Sequence, residues 1–130
     1  MNKEIFKSNR YFMIFDYFIS HGQLLIRSKK DDDQKSNIDI IFFDTTFLQI
    51  FTMLHSLTIR TISKDDFSKY NSVKKYLSNE NSNLFELESG DEKYFIAASF
   101  VQVFENELEF SETSLGMIHK GRDNEIAGSR

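Results

Sequence analysis

The chain has 130 residues, of which 40% are hydrophobic and 15% aromatic, and its formal net charge is −4. This apolar content excludes a disordered chain, and the length suits one domain. The chain contains no cysteine. That excludes a disulfide framework, a thiolate metal site and a cysteine nucleophile, and it favours a reducing, cytoplasmic setting.

Membrane and nucleic-acid partners are not expected. No apolar stretch approaches the roughly 18 residues of a membrane span. The apolar run near the N-terminus is interrupted by Asp16, so we do not expect a signal peptide. The lysines are scattered, whereas nucleic-acid binders carry a basic face.

The first predicted element is a hairpin of residues 11–20 and 23–30, joined by a two-residue turn ending at Gly22. In this register Asp16 lies opposite Arg27, an opposite-charge pair on neighbouring strands. One face is apolar apart from two tyrosine hydroxyls, so we assign it to the core. It carries Tyr11, Met13, Phe15, Tyr17, Ile19, Leu24 and Ile26.

Residues 29–37 form a charged loop, and residues 37–44 read as a strand that is apolar on both faces and therefore central. Residues 45–57 fit either a helical stripe or an irregular strand. We favour a strand with a turn near His55, followed by a β-branched strand at residues 58–62.

The best helical pattern lies at about residues 64–78. Ser63 and Asp66 resemble a capping box at its start. Phe67, Tyr70 and Leu77 have the spacing of a buried helical stripe. The sequence therefore predicts one amphipathic helix here.

A second hairpin is predicted around a two-residue loop at Gly90. Its register places Glu88 opposite Lys93 and Leu87 opposite Tyr94. One apolar face follows from this register, formed by Phe85, Leu87, Tyr94, Ile96 and Ala98.

Residues 100–110 alternate between apolar and polar positions. They form either one long strand or two short strands joined by a turn at Glu105 and Asn106. In the single strand, Glu105, Glu107 and Glu109 share one face. Periodicity is lost after Leu115.

These elements predict an α+β fold: a mostly antiparallel, flat or curled sheet of about six or seven strands with one amphipathic helix at about residues 64–78. We expect residues 1–114 to form a single domain. Residues 115–130 are predicted to be a loose polar tail.

Chemical motifs are weak throughout. Gly116 and Gly121 have phosphate-loop spacing, but Arg122 and Asp123 stand where that loop needs Lys and Ser or Thr. The loop that starts at Asp31 lacks the glycine and the alternate oxygen ligands of a calcium loop. The three histidines have no metal-ligand spacing. We therefore predict no cofactor and no metal.

The leading functional hypothesis is a non-catalytic protein-interaction domain with an inhibitor, immunity-type or adaptor role. It docks a basic partner protein through an acidic strand face, because clustered carboxylates complement a basic surface. The predicted partner-binding residues are Glu105, Glu107 and Glu109, joined by the loop residues Asp31, Asp32 and Asp33.

Two alternatives remain open. One is a small-molecule-binding or enzymatic domain with a pocket in the curled sheet; its polar candidates are Asp16, Arg27, Asp39 and His21. The other is a structural homo-oligomer, in which the Phe-rich face of the first hairpin is a dimer interface. No catalytic signature is visible, which favours a protein that is not an enzyme.

Overall fold

The computed structural model describes residues 2–70, 75, 77 and 81–130. Its regular elements are nine strands and two short 3₁₀ helices, at Ser20–Gly22 and Lys64–Tyr70. No helix in the described part of the chain is long and apolar enough to cross a membrane. The strands are β1 (Lys3–Phe18), β2 (Gln23–Ser28), β3 (Asn37–Phe43), β4 (Phe47–Gln49), β5 (Met53–Thr61), β6 (Asn83–Ser89), β7 (Glu92–Ala98), β8 (Phe100–Asn106) and β9 (Glu125–Gly128).

The strands form one antiparallel sheet in the order β4-β7-β6-β5-β1-β2-β3-β8-β9. Only Ser99 separates β7 from β8, and only residues 44–46 separate β3 from β4. Because β3 pairs with β8 and β4 pairs with β7, the sheet curls back on itself. A hydrogen bond from Ser99 N to Phe43 O marks the bend.

The inner face of the curled sheet encloses the main core. Its centre holds Phe42 and Phe85, whose rings meet edge to face with centroids 5.5 Å apart. Side chains from β1, β2, β3, β5, β6, β7 and β8 all contribute to this one cluster. A smaller cluster lies on the outer face and consists of Leu25, Ile41, Phe43, Phe104 and Leu115.

The predicted α+β class, with an amphipathic helix at about residues 64–78, is wrong: the described chain is almost entirely sheet. Lys64–Tyr70 is a 3₁₀ helix, and residues 71–74, 76 and 78–80 lie outside the described part of the chain. Phe67, Tyr70 and Leu77 nevertheless pack against Ile62 and Leu84. The apolar spacing thus identified the residues that are buried against the sheet. Burial at this spacing does not require a long α-helix.

The predicted register of the first hairpin is also wrong. Asp16 lies opposite Leu25, and Arg27 lies opposite Met13. The turn is longer than two residues, and a bulge near Phe15 shifts the register again. Tyr17 lies opposite Leu24 and is 48% exposed.

This shift reverses the predicted core face of β1. Phe12 is fully buried in the main core and Ile14 packs against it, whereas Tyr11 is 39% exposed. Of the face predicted to be buried, Leu24 and Ile26 lie in the core. A single-residue slip moves every side chain of a strand to the opposite face, which explains the reversal.

Two other predictions are confirmed. The second hairpin has the predicted register, with Glu88 opposite Lys93 and Leu87 opposite Tyr94. Strand β3 is interior in the sheet, and all seven of its residues are buried.

Two further segments differ from expectation. Residues 45–57 contain β4 and the start of β5, and the chain turns at residues 50–52; at Ser56, near the predicted turn, β5 continues with a positive φ of 69°. Residues 115–130, expected to be a loose tail, include β9, which pairs with β8. The described chain therefore has nine strands, where about six or seven were predicted.

Gly22 fixes the contact between the β1–β2 turn and the β3–β4 connection. Its φ is +47°, and a Cβ added there would lie 2.9 Å from Thr45 N. We expect Gly22→Ala to lower the free energy of unfolding by about 1–3 kcal/mol, because both the φ value and the contact oppose a side chain. Urea denaturation measures this loss.

Gly90→Ala is the matched control. Gly90 has a φ of +60°, but nothing lies within 4 Å of an added Cβ. The control therefore measures only the cost of a side chain at positive φ. We expect a smaller loss of unfolding free energy than at Gly22. Equal losses at the two positions would contradict a role for the close approach to Thr45.

Candidate functional site

The structure brings the two predicted acidic segments together at one end of the sheet. Ser36 Oγ donates a hydrogen bond to the Glu105 carboxylate, and Asn37 Nδ2 donates to Leu108 O at 2.9 Å. Lys30 Nζ donates to the backbone oxygen of Glu107 at 2.7 Å. We call this surface the acidic end; it comprises Asp31, Asp32, Asp33, Glu105, Glu107 and Glu109.

The three glutamates do not share one strand face. Strand β8 ends at Asn106, so Glu107 and Glu109 lie in the chain that follows it. Glu109 forms an ion pair with Lys30 at 3.5 Å. The acidic end is therefore built from two loops and one strand terminus.

Three carboxylates of the acidic end have no ion pair or hydrogen bond with the described chain: Asp32, Asp33 and Glu107. All three residues are exposed. Hydrogen bonds hold the backbone that carries them: the Asp31 carboxylate accepts from Asp33 N and Gln34 N, each at 2.8 Å, and Glu107 O accepts from Lys30 Nζ at 2.7 Å. This end thus presents fixed negative charges that the described chain does not neutralise.

An exposed aromatic ring lies beside these charges. Phe110 is 68% exposed, and its ring meets Phe15 edge to face with centroids 6.2 Å apart. Lys29 Nζ lies 4.8 Å from the Phe110 centroid. A cavity of about 280 Å³ opens here and is lined by Arg27, Lys29, Lys30, Asn37, Glu109 and Phe110.

Two of the predicted pocket residues form a buried ion pair with each other. Arg27 Nε and Nη2 donate to the two Asp39 carboxylate oxygens at 2.6 and 2.8 Å, and both side chains are at most 1% exposed. The Asp39 carboxylate also accepts hydrogen bonds from Ser114 Oγ and Asn106 Nδ2. Arg27 Nη1 donates to Glu112 O.

This saturated network holds the chain that follows β8 against the outer face of the sheet. The structure therefore supports a structural role for Arg27 and Asp39. Asp16 lies apart from them; its carboxylate accepts a hydrogen bond from Tyr17 N at 2.8 Å. Of the predicted pocket residues, His21 alone lines the larger concavity described next.

That concavity, which we call the polar cleft, has a volume of about 510 Å³. One wall joins two connections of the sheet through hydrogen bonds from Asp44 N to His21 O and from Thr45 N to Gly22 O. The cleft is lined by His21, Gln23, Phe43, Asp44, Phe100, Gln102, Phe104, His119, Arg122, Glu125 and Arg130.

Two guanidinium groups lie on a pair of stacked rings in the polar cleft. The Phe43 and Phe100 centroids are 4.5 Å apart. The guanidinium carbon of Arg122 lies 5.4 Å from the Phe43 centroid, and that of Arg130 lies 4.2 Å from the Phe100 centroid. The stacked rings therefore hold both cations at the cleft surface.

The two arginines differ in how far their donors are used. Arg122 Nε donates to Ser114 O and Nη2 to Gln23 Oε1, each at 2.7 Å. Burial lowers the pKa of Arg122 below its usual value, and the Asp39 carboxylate offsets part of this effect. Arg130 makes no hydrogen bond or ion pair with the described chain, so its guanidinium donors are available.

Backbone strain is concentrated at the polar cleft. Four non-glycine residues of the described chain have positive φ, and three of them line the cleft: His21 (62°), Asp44 (54°) and His119 (59°). Each such residue costs on the order of 1 kcal/mol and persists where its surroundings fix it, which is common at binding sites.

Of the residues that line the polar cleft, the sequence predicted only His21 as a candidate binding residue. His119, Arg122 and Arg130 belong to the segment expected to be a loose tail, where no periodicity signals structure. Their only local sign was a cluster of polar and basic side chains after Leu115. Within the described ranges, no group of three or more His, Asp or Glu side chains could hold a metal ion.

No family model matches the chain, and no curated protein or solved structure is significantly similar to it. Similarity to other proteins therefore carries no information about its function.

Proposed function

We propose that the protein is a non-catalytic interaction domain that docks a basic partner protein at the acidic end, in an inhibitor, immunity-type or adaptor role. One observation carries this proposal. Asp32, Asp33 and Glu107 are exposed, are carried by loops that hydrogen bonds fix, and have no neutralising partner in the described chain.

Charge favours a basic partner. Residues 105–112 contain four carboxylates; Glu109 and Glu112 form ion pairs with Lys30 and Lys120, whereas Glu107 has no cation in contact within the described chain. Like charges held close together repel one another, so a cationic surface that approaches them is attracted and oriented. Because the loops are already ordered, docking needs little further loss of conformational entropy.

Phe110 supplies an apolar anchor inside this charged surface. Binding energy at interfaces is concentrated in a few residues, often aromatic, surrounded by a polar rim. The exposed ring of Phe110, beside the carboxylates of the acidic end, matches this arrangement. We propose a cytoplasmic setting, which the absence of cysteine supports.

The test uses the triple variant D32K/D33K/E107K and the charge-matched control E4K/D91K/E92K, whose substituted residues are also exposed. The proteins are immobilised, and an extract of the cells in which the protein naturally occurs is applied at about 50 mM and about 500 mM salt. We expect the wild-type chain and the control to retain one basic protein at low salt only. The D32K/D33K/E107K variant should not retain it.

Binding kinetics measured with the captured partner distinguish the effect of the acidic charges from the effect of the Phe110 ring. The D32K/D33K/E107K variant should lower the association rate at least about tenfold, because charges at the edge of an interface mainly determine how fast two proteins associate. Phe110→Ala should raise the dissociation rate instead. Equal capture by the charge-reversed variant and the control would refute docking at the acidic end.

A further inference from the structure

We infer that the polar cleft is a binding site for a small sugar phosphate, that is, a phosphate monoester carrying free hydroxyl groups. This site is separate from the acidic end and its partner. None of its lining residues belongs to the acidic end.

The phosphate is recognised by the two guanidinium groups. Arginine donors match the several acceptor oxygens of a phosphate and form short, charge-assisted hydrogen bonds. Arg130 has all of its donors available, and the stacked rings of Phe43 and Phe100 hold both guanidinium groups in place. The imidazoles of His21 and His119 line the same cleft, and each ring has at least one N–H donor.

Arg122 gives a reason for the site to favour an anion. Its guanidinium is partly buried, and its two hydrogen-bond acceptors, Ser114 O and Gln23 Oε1, are neutral. A partly desolvated cation without a carboxylate in contact is stabilised when an anion approaches it. Asp39 lies near enough to interact with it electrostatically, but the carboxylate of Asp39 is bonded to Arg27.

The hydroxyl groups are recognised by the two carboxylates of the polar cleft. Asp44 and Glu125 are acceptors only, so they suit a ligand that also donates hydrogen bonds. Succinate offers no such donor and inorganic phosphate offers only its own P–OH hydrogens, whereas a sugar phosphate can place its carbon-bound hydroxyls against the carboxylates while its phosphate lies at the arginines. Cations and carboxylates in one cleft thus favour a phosphate joined to a hydroxyl-bearing group over a simple anion.

The polar cleft has a suitable size and is already formed. Its volume of about 510 Å³ lies within the usual range for small-molecule sites. Ser129 N donates to Val101 O, and Val101 N donates to Ser129 Oγ, which places the neighbouring Arg130 beside β8. A second concavity of about 510 Å³ adjoins it and shares Asp44, Phe100 and Arg130.

The test titrates ribose 5-phosphate into the isotope-labelled full chain and follows amide resonances by NMR. Ribose, inorganic phosphate and succinate are titrated in parallel, each to about 10 mM. We expect ribose 5-phosphate to shift the resonances of the residues that line the polar cleft. The three comparison compounds should bind at least about tenfold more weakly.

Arg130→Gln is the test variant, because Arg130 has no polar partner in the described chain whose loss would disturb the fold. It should weaken ribose 5-phosphate binding at least about tenfold. Lys7→Gln removes an exposed positive charge on β1, outside the polar cleft, and should leave binding unchanged. An unchanged thermal midpoint for both variants confirms that folding is intact.

Four results would overturn the inference. They are no shift of any polar-cleft resonance at the highest concentration, equal affinity of the wild-type chain and Arg130→Gln, equal binding of ribose without its phosphate, and equal binding of inorganic phosphate or succinate. None of these results bears on docking at the acidic end, because neither variant changes it.

Discussion

Arg27→Met should lower the free energy of unfolding by about 3–5 kcal/mol, one of the two largest effects that we expect from a single substitution. The substitution leaves the Asp39 carboxylate buried with hydrogen bonds from Ser114 and Asn106 but without its cation. It also removes the hydrogen bond that Arg27 donates to Glu112 O. Urea denaturation at neutral pH measures the loss.

The double variant Arg27→Met/Asp39→Leu separates the cost of an unpaired charge from the value of the pair. Replacing both partners of a buried pair by apolar groups is often close to neutral, so the double variant should regain most of the stability lost in Arg27→Met. Lys120→Met breaks the exposed pair with Glu112 and should cost less than about 1 kcal/mol. If the double variant is as unstable as Arg27→Met, the unpaired charge is not the cause.

Phe42→Ala should lower the free energy of unfolding by about 3–5 kcal/mol. Phe42 is fully buried in the main core, and its ring meets Phe85 edge to face. The curled sheet surrounds this point with strands, so the cavity left by the missing ring cannot collapse easily. Thermal and urea unfolding both measure the change.

Phe51→Ala is the matched control, since it removes the same atoms from a side chain that is 58% exposed. We expect it to change the free energy of unfolding by less than about 1 kcal/mol. Phe42→Leu should fall between the two alanine variants. Similar losses at Phe42 and Phe51 would show that the enclosed core does not dominate stability.

The second hairpin could be predicted in detail because its turn chemistry sets the register. Gly90 provides the positive φ that a two-residue loop requires, and the cross-strand pairs follow from it. The first hairpin has no such constraint. Its turn includes a 3₁₀ helix, and the bulge near Phe15 adds a second shift that local patterning does not encode.

The helix prediction failed for a different reason. The spacing of Phe67, Tyr70 and Leu77 records which residues are buried, and all three do pack against the Ile62 and Leu84 cluster. Burial at that spacing is compatible with a 3₁₀ helix followed by other backbone structure. Periodicity over so few positions does not select one backbone geometry.

The acidic end was predictable in composition but not in shape. The two acidic segments were evident from the sequence, and their contact follows from the pairing of β3 with β8. The end of β8 at Asn106 was not evident, because the alternation of Glu107 and Glu109 continues past the strand. The polar cleft escaped prediction because tertiary contacts alone bring Arg122 and Arg130 to the rings of β3 and β8.

The pairing of β3 with β8 imposes an order on events during synthesis. All seven residues of Asn37–Phe43 are buried in the finished sheet, yet one of the two neighbouring strands is more than 50 residues further along the chain. Until Phe100–Asn106 has left the ribosome, β3 is an apolar edge that can pair with another nascent chain. Between these two points the growing polypeptide therefore carries an apolar edge that favours aggregation.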